Sequence, residues 1–304
     1  MDGEEPEEEG EEGEEEVIEM DESELIAMLE AEEPGLHVCR RLFLEEGGAA
    51  GGACRALAEA HLAHLWEHGY VVIDGAFGVA EAVALREDAM GLSGEGRLCL
   101  ASELEHHAGD AEAGRFTDFG ARSDRIAFVT AGDGPPGVAA GVARLREIQE
   151  DLAGAIRLAR MGAEYQLAHF RPGGTRYERH RDALPDDGTE DEQRRVTAIL
   201  YTSEGWDEGH GGALRLWIPR GAPGYEGGGE AGGAGGAGAG AGGGACACHG
   251  ALGPGVARGV DAEGMATVEV APVAGRVVLF LSGAVDHEVC PSFADRVALT
   301  AWMQ

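Results

Sequence analysis

Arg176-Tyr-Glu-Arg-His180-Arg-Asp182 is the run whose reading decides the fold. It closes a strand candidate, Tyr177–Asp182, set between the turn signals Pro172-Gly-Gly174 and Asp186-Asp-Gly188. Alternate side chains of a strand share a face and lie about 7 Å apart along it, so His180 and Asp182 emerge together. An imidazole nitrogen and a carboxylate oxygen so placed can meet one metal ion. A third donor must come from elsewhere, and His287 stands just after the apolar strand candidate Val277–Leu281, opening Glu288-Val-Cys-Pro291. Taken alone, His-x-Asp is a weak signal that arises often by chance.

Outward from this run the apolar period is two. Tyr165–Phe170, Val196–Thr202, Leu214–Ile218, Thr267–Val270 and Val297–Trp302 are further short strands, with Ala274-Gly275 as another turn. Such a series predicts an α+β chain, mainly β: a double-stranded β-helix (jelly roll) with helices packed on one sheet. A sandwich of immunoglobulin type is the competitor, and the metal constellation favours the roll. Upstream, Leu57, His61, Leu62, Leu65 and Trp66 make a helical stripe closed by Gly69. Residues 79–92 predict a second helix and 139–161 a long amphipathic one. Tyr70–Asp74 and Arg125–Val129 read as strands.

Composition bounds the rest. The chain has 304 residues and a formal charge of −33. Residues 1–33 hold eighteen acidic and no basic residues, and 221–260 are dominated by Gly and Ala. Neither stretch has enough apolar surface to offset the entropy of ordering it. The expected layout is a disordered acidic leader, 1–53, and one catalytic domain, 54–304. That domain divides into helical support (54–163) and a jelly-roll core (164–304) interrupted by a Gly-rich insertion (221–260). No basic footprint for nucleic acid is visible, and no apolar run is long enough to span a membrane. The start lacks the pattern of a signal peptide. There is no Asn for a glycosylation sequon, and six scattered Cys make no disulfide framework. An intracellular monomer with reduced thiols is expected, cytoplasmic and/or nuclear.

Arg296 changes the weight of the His-x-Asp signal. It lies nine residues after His287 on the next strand, where a buried guanidinium is costly unless it meets an anion. Two His and one carboxylate leave three positions of an octahedron open, the geometry of non-haem Fe(II) oxygenases. 2-Oxoglutarate chelates such a metal at its keto-acid end and carries a second carboxylate several ångströms away. The planar guanidinium of Arg296 suits that distal carboxylate, with Tyr201 adding a hydroxyl from a neighbouring strand. The competing reading makes Arg296 a rim residue paired with one of many acids.

These segments resemble the intracellular oxygen-sensing prolyl 4-hydroxylases of the hypoxia-inducible-factor type. Arg176–Asp182 is similar to that family's Gly-Tyr-x-x-His-x-Asp strand. Val196-Thr-Ala-Ile-Leu-Tyr201, Trp206 and Gly211-Gly-Ala-Leu-Arg215 are similar to the next two strands, and His287-Glu-Val-x-Pro291 with Arg296-x-Ala-Leu-Thr-x-Trp302 to the closing pair. Upstream, Gly69–Asp74 and Arg122-Ser-Asp-Arg-Ile126 resemble the family's first strand and mobile substrate loop. The resemblance covers roughly 55–220 and 262–304. It implies Fe(II) on His180, Asp182 and His287, and 2-oxoglutarate against Arg296, Tyr201 and Thr300. It places Tyr177, Trp302 and Arg194 beside the target proline and Asp124 in the loop folding over the peptide. O2 is then the second co-substrate, ascorbate the reductant, and a proline-containing protein or peptide the partner. Where the family has a Tyr near the chelating end of 2-oxoglutarate this chain has Phe170, and the resemblance stops at Gln304 without a C-terminal helix to cover a peptide.

Other motifs carry less. Cys246-Ala-Cys248-His249 is half a zinc site without a second pair at finger spacing. His106-His107 sits among acids in a polar turn, and Cys290 reads as an inert thiol. Two other functions compete: the same chemistry on another residue or a small metabolite, and a non-catalytic jelly-roll module that keeps its metal for structure.

Overall fold

The structure is a computed structural model and describes residues 22–52, 54–101, 121–158, 163–190, 193–225 and 254–304. The motifs His106-His107 and Cys246–His249, most of the acidic leader and residues 226–253 of the Gly-rich stretch lie outside the described residues. The helices are α1 (Glu22–Glu32), α2 (Gly35–Arg40), α3 (Glu59–His68), α4 (Val79–Gly94) and α5 (Pro136–Ala153). The strands are β1 (Tyr70–Ile73), β2 (Cys99–Leu100), β3 (Arg125–Val129), β4 (Ala163–Phe170), β5 (Thr175–His180) and β6 (Val196–Tyr201). They continue with β7 (Leu214–Trp217), β8 (Val256–Val260), β9 (Ala266–Val270), β10 (Val277–Leu281), β11 (His287–Ser292) and β12 (Arg296–Met303).

Among the described residues these strands form two antiparallel sheets, ordered β1-β10-β6-β12-β4-β3-β2 and β5-β11-β7-β9-β8. From β4 onward the chain crosses between them: β4, β6, β10 and β12 in the larger sheet alternate with β5, β7–β9 and β11 in the smaller. That winding is a double-stranded β-helix and excludes the immunoglobulin-type order. All eight residues of β12 are buried, because one row faces the other sheet and the other row faces helices. Leu145, Ile148 and Leu152 of α5 are fully buried, the helical-period stripe that covers the outer face. At Gly141 an added Cβ would lie 2.9 Å from a Leu299 methyl and 3.1 Å from a Leu85 methyl, so α5 packs closely on β12 and α4. Burying each of these aliphatic side chains contributes about 1.5–3 kcal/mol.

Three expectations are corrected. The ordered domain begins well before residue 54: Leu36, Cys39 and Leu42 are almost wholly buried, their three-residue period masked in the sequence by the adjoining acidic run. The Gly-rich stretch does not extend to 260, since Val256–Val260 pairs with β9 as an edge strand. Exposed on most of its length, β8 carries no apolar alternation to betray it. The long helix ends at Ala153, with Gly154 as its C-cap, rather than near 161.

Candidate metal centre

β5 and β11 are neighbours in the smaller sheet, with His180 directly opposite His287. Asp182 follows just beyond the end of β5. Its Oδ1 is 3.6 Å from His180 Nε2 and its Oδ2 3.8 Å from His287 Nε2. One donor atom from each residue lies within 4.8 Å of the others, and no other His/Cys/Asp/Glu group among the described residues has such spacing.

Each donor is held from behind. His180 Nδ1 lies 2.8 Å from the Glu178 carbonyl. A carbonyl only accepts, so Nδ1 carries the proton and the Nε2 lone pair faces inward. The Tyr177 ring stacks on His180 at 3.7 Å and 16°, and Phe280 packs at 4.5 Å against His287. Asp182 Oδ2 accepts from Thr197 Oγ1 at 2.7 Å and from Trp302 Nε1 at 2.9 Å. Burial alone raises the Asp182 pKa; the two imidazoles and these two hydrogen bonds outweigh it and hold the carboxyl below its ordinary range. Burial and the neighbouring His287 push His180 down, against the pull of Asp182. A neutral imidazole at His180 and an ionised carboxylate at Asp182 are the protonation states a metal needs.

Thr197 was not singled out in the sequence, though alternation on β6 puts it on the same face as Tyr201. Thr197→Val removes one of the two bonds that orient Asp182. Metal affinity is expected to fall about 10–100-fold, measured by calorimetric titration with Mn(II).

Alternation on β12 carries Arg296, Thr300 and Trp302 to one wall of a cavity between the sheets, with Phe170 and Gln166 from β4 beside them and the side chains of His180, Asp182 and His287 opposite, a space of about 440 Å³ open to solvent. Arg296 is 3% exposed. Its Nε donates to the Gly212 carbonyl at 2.8 Å, and its guanidinium lies 4.7 Å over the Phe170 ring and 5.1 Å from that of Tyr201. Among the described residues no carboxylate pairs with it. The Tyr201 hydroxyl is buried without a hydrogen-bond partner; burial pushes its pKa up to about 12, with Arg296 opposing. A buried cation and an orphaned donor, side by side, are a cradle for an anion.

The Gly212 carbonyl reaches Arg296 because the chain turns tightly at Gly211, whose φ of 61° and ψ of −151° suit glycine. A Cβ there would lie 2.2 Å from the Pro291 carbonyl oxygen. Gly211→Ala is expected to destabilise the fold by about 1–3 kcal/mol, seen as a lower denaturation midpoint. Asp295, just before Arg296, is tethered as well: its carboxylate is 2.9 Å from His169 Nε2, and its carbonyl accepts from Arg86 at 2.7 Å.

The structure brings together His180, Asp182, His287, Arg296, Thr300, Tyr177 and Trp302 on the cavity wall, with Tyr201 behind Arg296. Two expected substrate residues stand differently. Arg194 does not line the cavity: Glu164 binds it at 2.6 Å, and it lies 4.1 Å over the Trp302 ring on the outside. Asp124, just before β3, lines the cavity; it is fully buried and paired with both Nε and Nη2 of Arg122 at 2.9 and 2.8 Å. Arg122 itself was read only as part of a motif, and it stacks 4.2 Å over Tyr177.

Fold and site together define a jelly-roll protein with an open-faced two-His, one-carboxylate centre and an anion cradle across the same cavity. Residues 165–304 match the family model described as the 2OG-Fe(II) oxygenase superfamily. Its members use Fe(II), 2-oxoglutarate and O2. The donor set of His180, Asp182 and His287 fits that metal.

Among solved structures the chain is similar to a prolyl-4-hydroxylase of Pseudomonas putida, at 24% identity over 81% of this chain and 97% of that one, with a TM-score of 0.55. It is similar to a prolyl hydroxylase of Trichoplax adhaerens, in complex with a hypoxia-inducible-factor oxygen degradation domain peptide fragment, at 18% identity, 79% and 85% coverage and TM-score 0.52. A third is the non-haem α-ketoglutarate-dependent carbocyclase SnoK of nogalamycin biosynthesis, at 14% identity, 84% and 87% coverage and TM-score 0.50. At these identities the likeness concerns the fold.

Proposed function

We propose that the protein is an Fe(II)- and 2-oxoglutarate-dependent dioxygenase that hydroxylates a prolyl residue in a peptide or protein. The observation that carries the keto-acid part is Arg296, buried and without an acidic partner beside the orphaned Tyr201 hydroxyl. When bound, the metal supplies the chemistry that couples decarboxylation of 2-oxoglutarate to succinate and CO2 with insertion of one oxygen atom from O2 into a substrate C–H bond. His180, Asp182 and His287 hold it on one face. Thr197 and Trp302 keep Asp182 turned toward it. Arg296 binds the distal carboxylate through two parallel N–H bonds, and Tyr201 donates its hydroxyl to the same group. Thr300 borders the co-substrate. Phe170 supports the guanidinium with its ring face and excludes water from the cradle.

The prolyl reading is supported by the resemblance of Arg176–Asp182 and Arg296–Trp302 to the prolyl 4-hydroxylases, and by Tyr177 and Trp302 at the cavity wall. It is tested by incubating the Fe(II)-loaded protein with ascorbate, 2-oxoglutarate and a library of proline peptides. The expected result is a +16 Da product on proline with equimolar succinate. Succinate release with product only on other residues overturns the substrate and keeps the chemistry. A small-metabolite substrate is the second reading, favoured by the placement of Arg194 and Asp124, which stand bound to Glu164 and Arg122 rather than free to meet a peptide. A metabolite screen for substrate-dependent decarboxylation separates the two.

A further inference from the structure

We propose that the acidic N-terminal segment braces the metal centre, with Glu30 of α1 acting as a positioning residue through Arg181 and Asp286. The inference rests on the reading of His180, Asp182 and His287 as the metal ligands.

Arg181 stands between two of those ligands and Asp286 immediately before the third. Strand alternation turns the Arg181 side chain away from the cavity, yet it is only 7% exposed. Its Nε donates to Asp286 Oδ1 at 2.6 Å, while Nη1 donates to Glu30 Oε1 at 2.9 Å and to the Gly283 carbonyl at 3.2 Å. The other Asp286 oxygen accepts from Arg179 Nη2 at 2.6 Å and Nε at 3.1 Å. The result is an unbroken chain of alternating charge, Glu30–Arg181–Asp286–Arg179, running behind the ligands. Two carboxylates and two guanidiniums balance, so the network is satisfied as a unit and half-satisfied when any member is lost.

The far end of the chain is fixed too. Arg220 donates to the Glu30 carbonyl at 2.6 Å, pinning the last turn of α1. At Gly35, the start of α2, an added Cβ would lie 2.6 Å from Glu30 Oε1 and 3.1 Å from the Gly283 carbonyl oxygen, so the joint between the first two helices presses on the turn that leads into His287. Glu30 lies outside residues 165–304 of the superfamily match. The brace therefore comes from sequence beyond the matched segment, and it gives part of the acidic segment a task at the site. Partners of this kind behind metal ligands commonly change metal affinity about 10–100-fold.

The test uses the full chain titrated with Co(II), read by calorimetry and by the d–d absorption of the bound ion, with the thermal midpoint of the metal-free protein measured in parallel. Glu30→Ala is expected to weaken Co(II) binding about tenfold and to shift the d–d bands. Glu30→Gln, which keeps an acceptor for Arg181, is expected to recover most of the affinity. Asp286→Ala is expected to weaken binding further. Where that variant fails to fold, Glu30→Ala decides alone. His180→Ala serves as the control for the metal assignment. Loss of binding in His180→Ala with wild-type affinity and spectrum in Glu30→Ala overturns the brace and leaves the metal site standing. A lowered midpoint in Glu30→Ala without a change in spectrum or affinity overturns it as well, since the contact then serves the fold alone. Wild-type binding by His180→Ala removes the metal assignment, and the brace with it.

Discussion

Asp182→Ala is expected to abolish turnover and to weaken divalent-metal binding by roughly 10³-fold or more, about 4 kcal/mol at 1.4 kcal/mol per decade. The reason is its double role. Asp182 is the sole anion among the three candidate donors, so its loss removes both a ligand and the charge that offsets a divalent cation. It also leaves the Thr197 hydroxyl and the Trp302 indole N–H, both aimed at Oδ2, without their acceptor. Asp182→Asn keeps the shape but not the charge: with the amide oxygen accepting from both donors, the NH2 that faces the metal has no lone pair to offer. It is expected to bind metal between the wild type and the alanine variant. Calorimetry with Mn(II), followed by succinate release with Fe(II), measures both. Metal affinity unchanged in Asp182→Ala would remove the centre from the account.

Arg296→Leu is expected to lower 2-oxoglutarate affinity about 100-fold or more, as loss of a buried charge-assisted pair worth about 3–5 kcal/mol implies. The stability effect should run the other way. Because no carboxylate of the described residues is paired with Arg296, its removal strands no internal acid; it relieves the protein of a desolvated cation whose pKa burial already pulls down, against Tyr201 and Asp124. The ligand-free midpoint is therefore expected to hold or rise while co-substrate binding collapses. Arg296→Lys should recover only part of the affinity, since an ammonium cannot make the two parallel bonds of the guanidinium fork. Binding of 2-oxoglutarate to the Mn(II) form, with denaturation of the ligand-free protein, separates these effects. A fall in both together would mean that Arg296 serves the fold.

The strands plainest in the sequence were the apolar ones, while Tyr177–Asp182 was read from the turn signals that flank it. Val277–Leu281 is apolar throughout because both its faces are covered, and Val297–Trp302 declares itself by the same means. β8 could not be read, since an exposed edge strand with Gly259 in it lacks any period. β11 was visible only by resemblance: Pro291 argues against a strand and is tolerated where the pairing with β5 shifts register. His180 and Asp182 were legible from their spacing of two on a strand, His287 from its place after an apolar strand, and Arg296 as a charge on a strand otherwise apolar. Thr197 escaped because a hydroxyl in a strand is unremarkable by itself. Arg194 and Asp124 are a different case. Their positions followed from alignment, and their environments depend on Glu164 and Arg122, which no local pattern links to them. The burial of Leu36 and Leu42 was hidden by charge nearby.

The alternation of consecutive strands between the sheets also bears on how the centre comes into being. His180 and His287 pair across adjacent strands though more than a hundred positions separate them in sequence, and β6, β7, β8, β9 and β10 must all be threaded in between. Contacts so remote close slowly, on the millisecond-to-second scale typical of such topologies. The complete three-donor centre therefore exists only once β5 and β11 have paired, and binding by all three side chains is coupled to folding of the roll.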